Sequence, residues 1–242
     1  MGKATSLDNI PCKLLKIAAD IVAPSLTCIF NPSLLTGIYP SDWKLAKVIP
    51  FFKNGSKTDL NNYRPISVIP AAAKIFEKII YDQLCNYLNA NDLLTSCQSG
   101  FRSTSRHYCL AGDKQQLVRQ CWQRSTQWCN FHWLKVSLWH YRSRNRLAKY
   151  GVDHDALKWF KSYLANRLQR CKVNNYLSST SPLICGVPQG SIIDPLLFLI
   201  YINDLPNCLS LGSPRMDADV TFAAFHMQSL NDKIINVNVA SK

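Results

Sequence analysis

The chain has 242 residues, with 28 Lys and Arg against 15 Asp and Glu, a formal net charge of +13. That length allows one large domain or two small ones with a real core, and the charge excess suits a polyanionic partner, because basic surfaces gain affinity for phosphates by releasing counterions. Composition argues against a membrane-spanning chain and against a disulfide or zinc scaffold. The longest apolar run, Pro195 to Ile202, is too short to cross a bilayer. The ten cysteines include no Cys-x-x-Cys pair, and Cys121, Cys129 and His132, the nearest thing to a ligand cluster, lack a second half. Reduced thiols in an intracellular protein (cytoplasm or nucleus) with no signal peptide are expected. Nothing in the sequence points to an oligomer.

In chain order, the first element reads as a helix. Asp8 or Asn9 caps it, Pro11 fits its first turn, and Leu14, Ile17, Ala18 and Ile21 form one apolar stripe. Pro24 is expected to break or restart it, and Gly37 to end the second piece. Ala46 to Phe52 reads as a strand, followed by an Asn54-Gly55-Ser56 turn. Pro70 to Leu88 is the clearest helix, with Ile75, Phe76, Ile79, Ile80 and Leu84 on one face. Asp153 to Leu164 is a further helix capped by Asp153, and Leu168 to Val173 with Tyr176 to Ile184 flank Asn174-Asn175 as a hairpin. Ser191 or Asp194 caps a buried helix to about Asn203, Thr221 to Phe225 is a short strand, and Ser229 caps a last helix. This irregular alternation predicts an α/β or α+β fold without repeats.

Asp113 to Arg146 is different. It holds Trp122, Trp128, Trp133 and Trp139, four of the six tryptophans, and neither helical nor strand period persists through it.

Three short blocks carry chemistry. Asn61-Asn62-Tyr63-Arg64-Pro65-Ile66-Ser67-Val68 sets a fixed-φ proline after an arginine; alone it reads as a loop entering a strand. Gln98-Ser99-Gly100-Phe101-Arg102 joins a glycine, an aromatic ring and a cation, a set able to stack on bases and hold phosphate. Cys185-Gly186-Val187-Pro188-Gln189-Gly190-Ser191, ahead of an apolar helix, is the most specific. There Gly190 permits close backbone approach to a ligand, and Gln189 can hydrogen-bond a base or sugar.

In this order the blocks resemble the reverse transcriptases of non-LTR retrotransposons, close to the jockey and CR1-like elements. Trp43-Lys44, Trp159-Phe160-Lys161-Ser162-Tyr163-Leu164 and Leu205-Pro206 extend the match from Leu7 to about Phe225, the central stretch excepted. The resemblance implies a right-hand polymerase fold, here fingers and palm with the thumb missing. Residues 1–112 would be fingers and the start of palm, 113–146 a disrupted segment, and 147–242 the remaining palm. It further implies Arg64 near the nucleotide phosphates, Gln98, Gly100 and Arg102 near the template, and Pro188, Gln189 and Gly190 along nucleotide and template. The implied partners are an RNA template, a DNA primer and dNTPs, with Mg²⁺ as cofactor.

Two-metal polymerase chemistry needs facing carboxylates. The family takes one aspartate from a Phe-x-Asp-x-x-Lys-Ala-Phe-Asp strand and the others from an aromatic-Ala-Asp-Asp hairpin. Here the hairpin reads Met216-Asp217-Ala218-Asp219-Val220. Asp219 is the remaining catalytic and metal-binding candidate, with Asp217 as a further ligand alongside it on the same strand face. Val220 replaces the second aspartate, and Asp194 replaces a glycine usual before the Pro-Leu-Leu-Phe helix. The first strand is missing from this reading frame. Shifted by one nucleotide, each Trp codon forces a following glycine, and the spacing of Trp133 and Trp139 equals that of the family's two aspartates. A compensated frameshift across residues 113–146 is the expectation, against a misjoined exon. Three readings follow: a polymerase by descent, a binding remnant without catalysis, and an unstable product of a decayed gene. Inactivity of this copy is the expectation.

Overall fold

A computed structural model describes residues 5–98, 146–183, 187–208, 213–217 and 220–224. The elements are α1 (Cys12–Ile17), α2 (Ala19–Thr36), β1 (Leu45–Phe52), β2 (Tyr63–Val68), α3 (Ala71–Ala90), α4 (His154–Leu164), β3 (Leu168–Val173), β4 (Tyr176–Leu177), β5 (Ser181–Pro182), α5 (Asp194–Ile202), β6 (Ser213–Asp217) and β7 (Val220–Ala224). The fold is mixed α/β, as expected. β1 runs antiparallel to β2 and parallel to β3, and β4 and β5 each pair antiparallel with β3. β6 and β7 form a separate hairpin. No helix among the described residues is long and apolar enough to cross a membrane. Cys12, Cys28, Cys85, Cys97 and Cys171 are free thiols.

Helices α2 to α5 build the core. Phe30 stacks on Phe76 with centroids 4.4 Å apart, and Trp159 stacks on Tyr163 at 5.4 Å. Tyr39 meets Trp159 and Tyr163 edge-on. Leu196, Leu197, Leu199 and Ile200 bring α5 into the same cluster. Burying such side chains is worth about 1.5–3 kcal/mol each. Trp159 also satisfies its indole N–H on Ser33 Oγ at 3.1 Å, as a buried tryptophan requires. Asp153 caps α4 through the Asp155 N–H, and Asn174 turns the β3–β4 connection with φ 54°.

Four sequence expectations are corrected. The first helix breaks at Ala18, not at Pro24; α2 carries both Pro24 and Pro32 inside, since packing against α4 outweighs two absent donors. Asp8 accepts from Ile10 N–H in a local turn, and the cap position belongs to Pro11. The stripe of Leu14, Ile17 and Ile21 faces outward, with Ile17 74 % and Ile21 82 % exposed, so its period does not mark the core. On α3 the buried face is Ala73, Phe76, Glu77, Ile80, Leu84 and Leu88, while Ile75 and Ile79 are exposed. The predicted face was rotated by about one residue, because Glu77, read as a surface charge, belongs inside.

Candidate functional site

The site begins at the free edge of β2. Because β2 is an edge strand, the outward-facing N–H and C=O of Ser67 have no strand partner. The segment 187–191 fills that place: Ser67 N–H donates to the Gln189 carbonyl at 2.7 Å. Gly190 makes the approach possible. Its φ is +114°, and a Cβ there would lie 2.7 Å from the Ser67 carbonyl oxygen. The close approach foreseen for this glycine is therefore made to the protein's own strand. Two blocks 120 residues apart in sequence, the Tyr-Arg-Pro-Ile-Ser strand and the Pro-Gln-Gly turn, form one surface.

A buried polar network lies behind the turn. Glu77 is fully buried on α3. Its Oε1 accepts from Tyr163 Oη at 2.8 Å, and its Oε2 accepts from the Ile192 N–H at 2.8 Å. Tyr163 Oη and Ser191 Oγ are 2.8 Å apart, and Ser191 Oγ accepts from Ile193 N–H. Burial pushes the Glu77 carboxyl up, while the Ile192 and Tyr163 hydrogen bonds and the Arg167 charge pull it back. Burial, then the Glu77 charge, raises the Tyr163 phenol well above its ordinary value. Arg167, 1 % exposed, donates from Nη1 to the Tyr163 carbonyl and packs over the Tyr163 and Tyr39 rings. Asp194, at the start of α5, is pushed up to about 7 by burial and by Glu77.

The sheet carries a second feature. Cross-strand partners share a face. Arg64 pairs with Phe51, and Lys47 pairs with Arg170, two residues before Lys172. Lys47, Arg64, Arg170 and Lys172 thus share one face with Phe51, which is 63 % exposed. Lys47 is buried and donates to the Ser6 carbonyl; burial, with Lys172 nearby, lowers its pKa. Arg64 and Lys172 are exposed.

The sequence of residues 53–225 matches the family described as reverse transcriptase (RNA-dependent DNA polymerase). The chain belongs to that family. It is 28 % identical over 220 residues to the RNA-directed DNA polymerase from mobile element jockey of Drosophila melanogaster, covering 85 % of this chain and 23 % of that protein. It is 27 % identical over 239 residues to the probable RNA-directed DNA polymerase from transposon BS of the same fly, covering 92 % and 25 %. A third relative, the probable RNA-directed DNA polymerase from transposon X-element, is 28 % identical over 213 residues, covering 85 % and 23 %. The chain spans about a quarter of the length of these curated relatives. The resemblance to non-LTR reverse transcriptases read from the motif blocks is borne out.

Within this reverse transcriptase domain, the turn of Pro188, Gln189 and Gly190 meets β2 at Ile66 and Ser67, on the strand that carries Arg64. Gln98 does not join them: it is 4 % exposed, beside Leu199, Ile202 and Asn203. Gly100, Arg102 and Asp219 lie outside the described residues, as do all but the last residue of the expected frameshift segment 113–146 and the helix after Ser229. Reverse transcriptases generally use a divalent metal. In the β6–β7 hairpin Asp217 pairs with Val220. No group of three His, Cys, Asp or Glu among the described residues could hold a metal. The described residues do not fit a two-metal centre. Sequence reading missed Glu77, Tyr163 and Arg167. The one available signal was a lone acid between Phe76 and Ile80, at the spacing of buried positions.

Proposed function

We propose that this chain is the fingers and palm part of a mobile-element reverse transcriptase that holds an RNA template and DNA primer without extending them. In this reading residues 1–112 are fingers and the start of palm, 113–146 are the out-of-frame remnant of the first catalytic strand, and 147–242 continue the palm. Arg64, with Gly100 and Arg102, faces nucleotide phosphates and template; Pro188, Gln189 and Gly190 line the nucleotide. The observation that carries the reading is the Ser67–Gln189 hydrogen bond, which joins two motif blocks of the family into one surface beside the basic sheet face.

The second half of the proposal, loss of catalysis, rests on Val220. Asp219, with Asp217 beside it, offers too few ligands for the two Mg²⁺ ions expected of the family, and Val220 contributes no donor. Metal stabilisation of the transition state supplies several kcal/mol. Without it, nucleotides and primer bind with no chemical step.

Binding of a labelled RNA–DNA duplex, followed by fluorescence anisotropy across a salt series, tests the retained half. Sequence-independent affinity that falls steeply with salt is expected, because phosphate contacts release counterions. Affinity that survives high salt, or no binding at low salt, contradicts it.

A further inference from the structure

Why the Pro188–Gly190 turn stays on β2 is not explained by the turn itself. Among the described residues one backbone hydrogen bond, from the buried Ser67, ties it to β2, and a single such bond is worth only about 1 kcal/mol net. The turn is flanked by Val187, which is buried, and by Ser191, Ile192 and Ile193, whose polar groups converge on Glu77.

The direction of the hydrogen bonds is fixed by their ends. Ile192 N–H can only donate, so it claims Glu77 Oε2. Tyr163 Oη donates to Oε1, which leaves Ser191 Oγ to donate to Tyr163 while accepting from Ile193 N–H. Every proton in this chain points toward one carboxylate. Glu77 sits mid-helix on α3, itself locked by Phe76 and Ile80 on either side. A rigid helix therefore holds three consecutive loop residues through two oxygens.

We propose that Glu77 is the positioning residue of this site: it seats the Pro188-Gln189-Gly190 turn against the edge of β2. It is fully buried and acts through Ile192, Tyr163 and Ser191. The inference deepens the nucleic-acid reading above, and names the residue on which the shape of that surface depends. Arg167 serves a different end: it lies near enough to balance the Glu77 charge, yet its guanidinium donates to the Tyr163 carbonyl and, among the described residues, to no atom of 187–193.

Separating anchoring from charge balance gives the test. Glu77→Met fills a similar volume and removes both acceptors, but leaves Arg167 as an unbalanced buried charge. The double variant Glu77→Met/Arg167→Met removes both charges. Hydrogen exchange is measured across the whole chain for each variant, with thermal melting alongside. Glu77→Met is expected to melt lower, and the double variant to recover much of that loss. In both variants, amides of 187–193 and of Ser67 should exchange at least about tenfold faster than in the parent, the scale for losing one buried hydrogen bond. Tyr163→Phe, the mildest change, should speed exchange at 191–193 alone. Loop protection that returns in the double variant together with its melting temperature would overturn the proposal, since Glu77 would then serve only charge balance. Unchanged loop exchange in Tyr163→Phe and in the double variant would overturn it as well. RNA–DNA duplex binding by the same proteins keeps the two ideas apart. Faster loop exchange in the variants of a parent chain that never binds the duplex would leave Glu77 as the anchor and reject the binding function.

Discussion

The turn at 187–191 and the hairpin at 213–224 belong to one reverse transcriptase domain, and they have fared differently. At the turn, the Ser67 N–H, the Gly190 conformation and the Glu77 hydrogen bonds fit together. At the hairpin the backbone pairing of β6 with β7 is intact, while in the proposed reading Val220 takes the place of a metal-binding acid. The difference has a physical cause. Metal-binding carboxylates are crowded like charges that do nothing for the folded state without their metal, so replacing one leaves the fold unharmed. Glu77 and Gly190 are held by packing and hydrogen bonds, so their loss costs stability at once. Chemistry and fold thus separate along this line.

The strongest way to break the comparison is to strike the core beneath the turn. Phe76→Ala removes the ring stacked on Phe30 and should cost about 3–5 kcal/mol in urea unfolding. A loss below about 1 kcal/mol would mean that the helical core is not what supports the turn. Asp194 sharpens the comparison, since it is the one departure from the family pattern that reaches the buried side. Its carboxyl holds a proton to about pH 7 in the folded chain, against about 4 unfolded. The folded state therefore binds the proton more tightly, and this residue's contribution to stability falls as pH rises from about 4 to about 7. Asp194→Asn should gain up to about 2–4 kcal/mol over the parent, the gain widening through that window and flat above it. A gain independent of pH would reject the argument.

Smaller changes probe the turn and a helix end. Gly190→Ala places a Cβ against the Ser67 carbonyl at a positive φ, and should cost about 1–3 kcal/mol while exposing Ser67 N–H to exchange. Asp153→Ala removes the cap of α4 and should cost about 1 kcal/mol. Chemical denaturation measures both.

The sequence made much of this legible, for reasons that differ by element. β1, α4 and the β3–β4 hairpin carry local signals: strand alternation, an aspartate cap and an Asn-Asn turn whose first residue adopts φ 54°. The motif blocks named the family. The parallel pairing of β1 with β3 was not legible, because it joins Lys47 to Arg170 across about half of the chain. Nor was the burial of Glu77, since a charge reads as surface until its partners on α4 and the loop are known. The outward stripe of Leu14, Ile17 and Ile21 shows the converse, a period without a core behind it. For Gln98, motif membership favoured an exposed role, yet its place against Leu199 and Ile202 is interior.

The separation of binding from chemistry is tested most directly by primer extension on a pre-annealed RNA–DNA duplex, with binding recorded in the same reaction. The chain should bind the duplex and extend nothing in Mg²⁺, and Val220→Asp should bind equally and also extend nothing, because the facing strand is still missing. Template-directed, Mg²⁺-dependent extension by the unmodified chain, abolished by Asp219→Ala, would contradict the account.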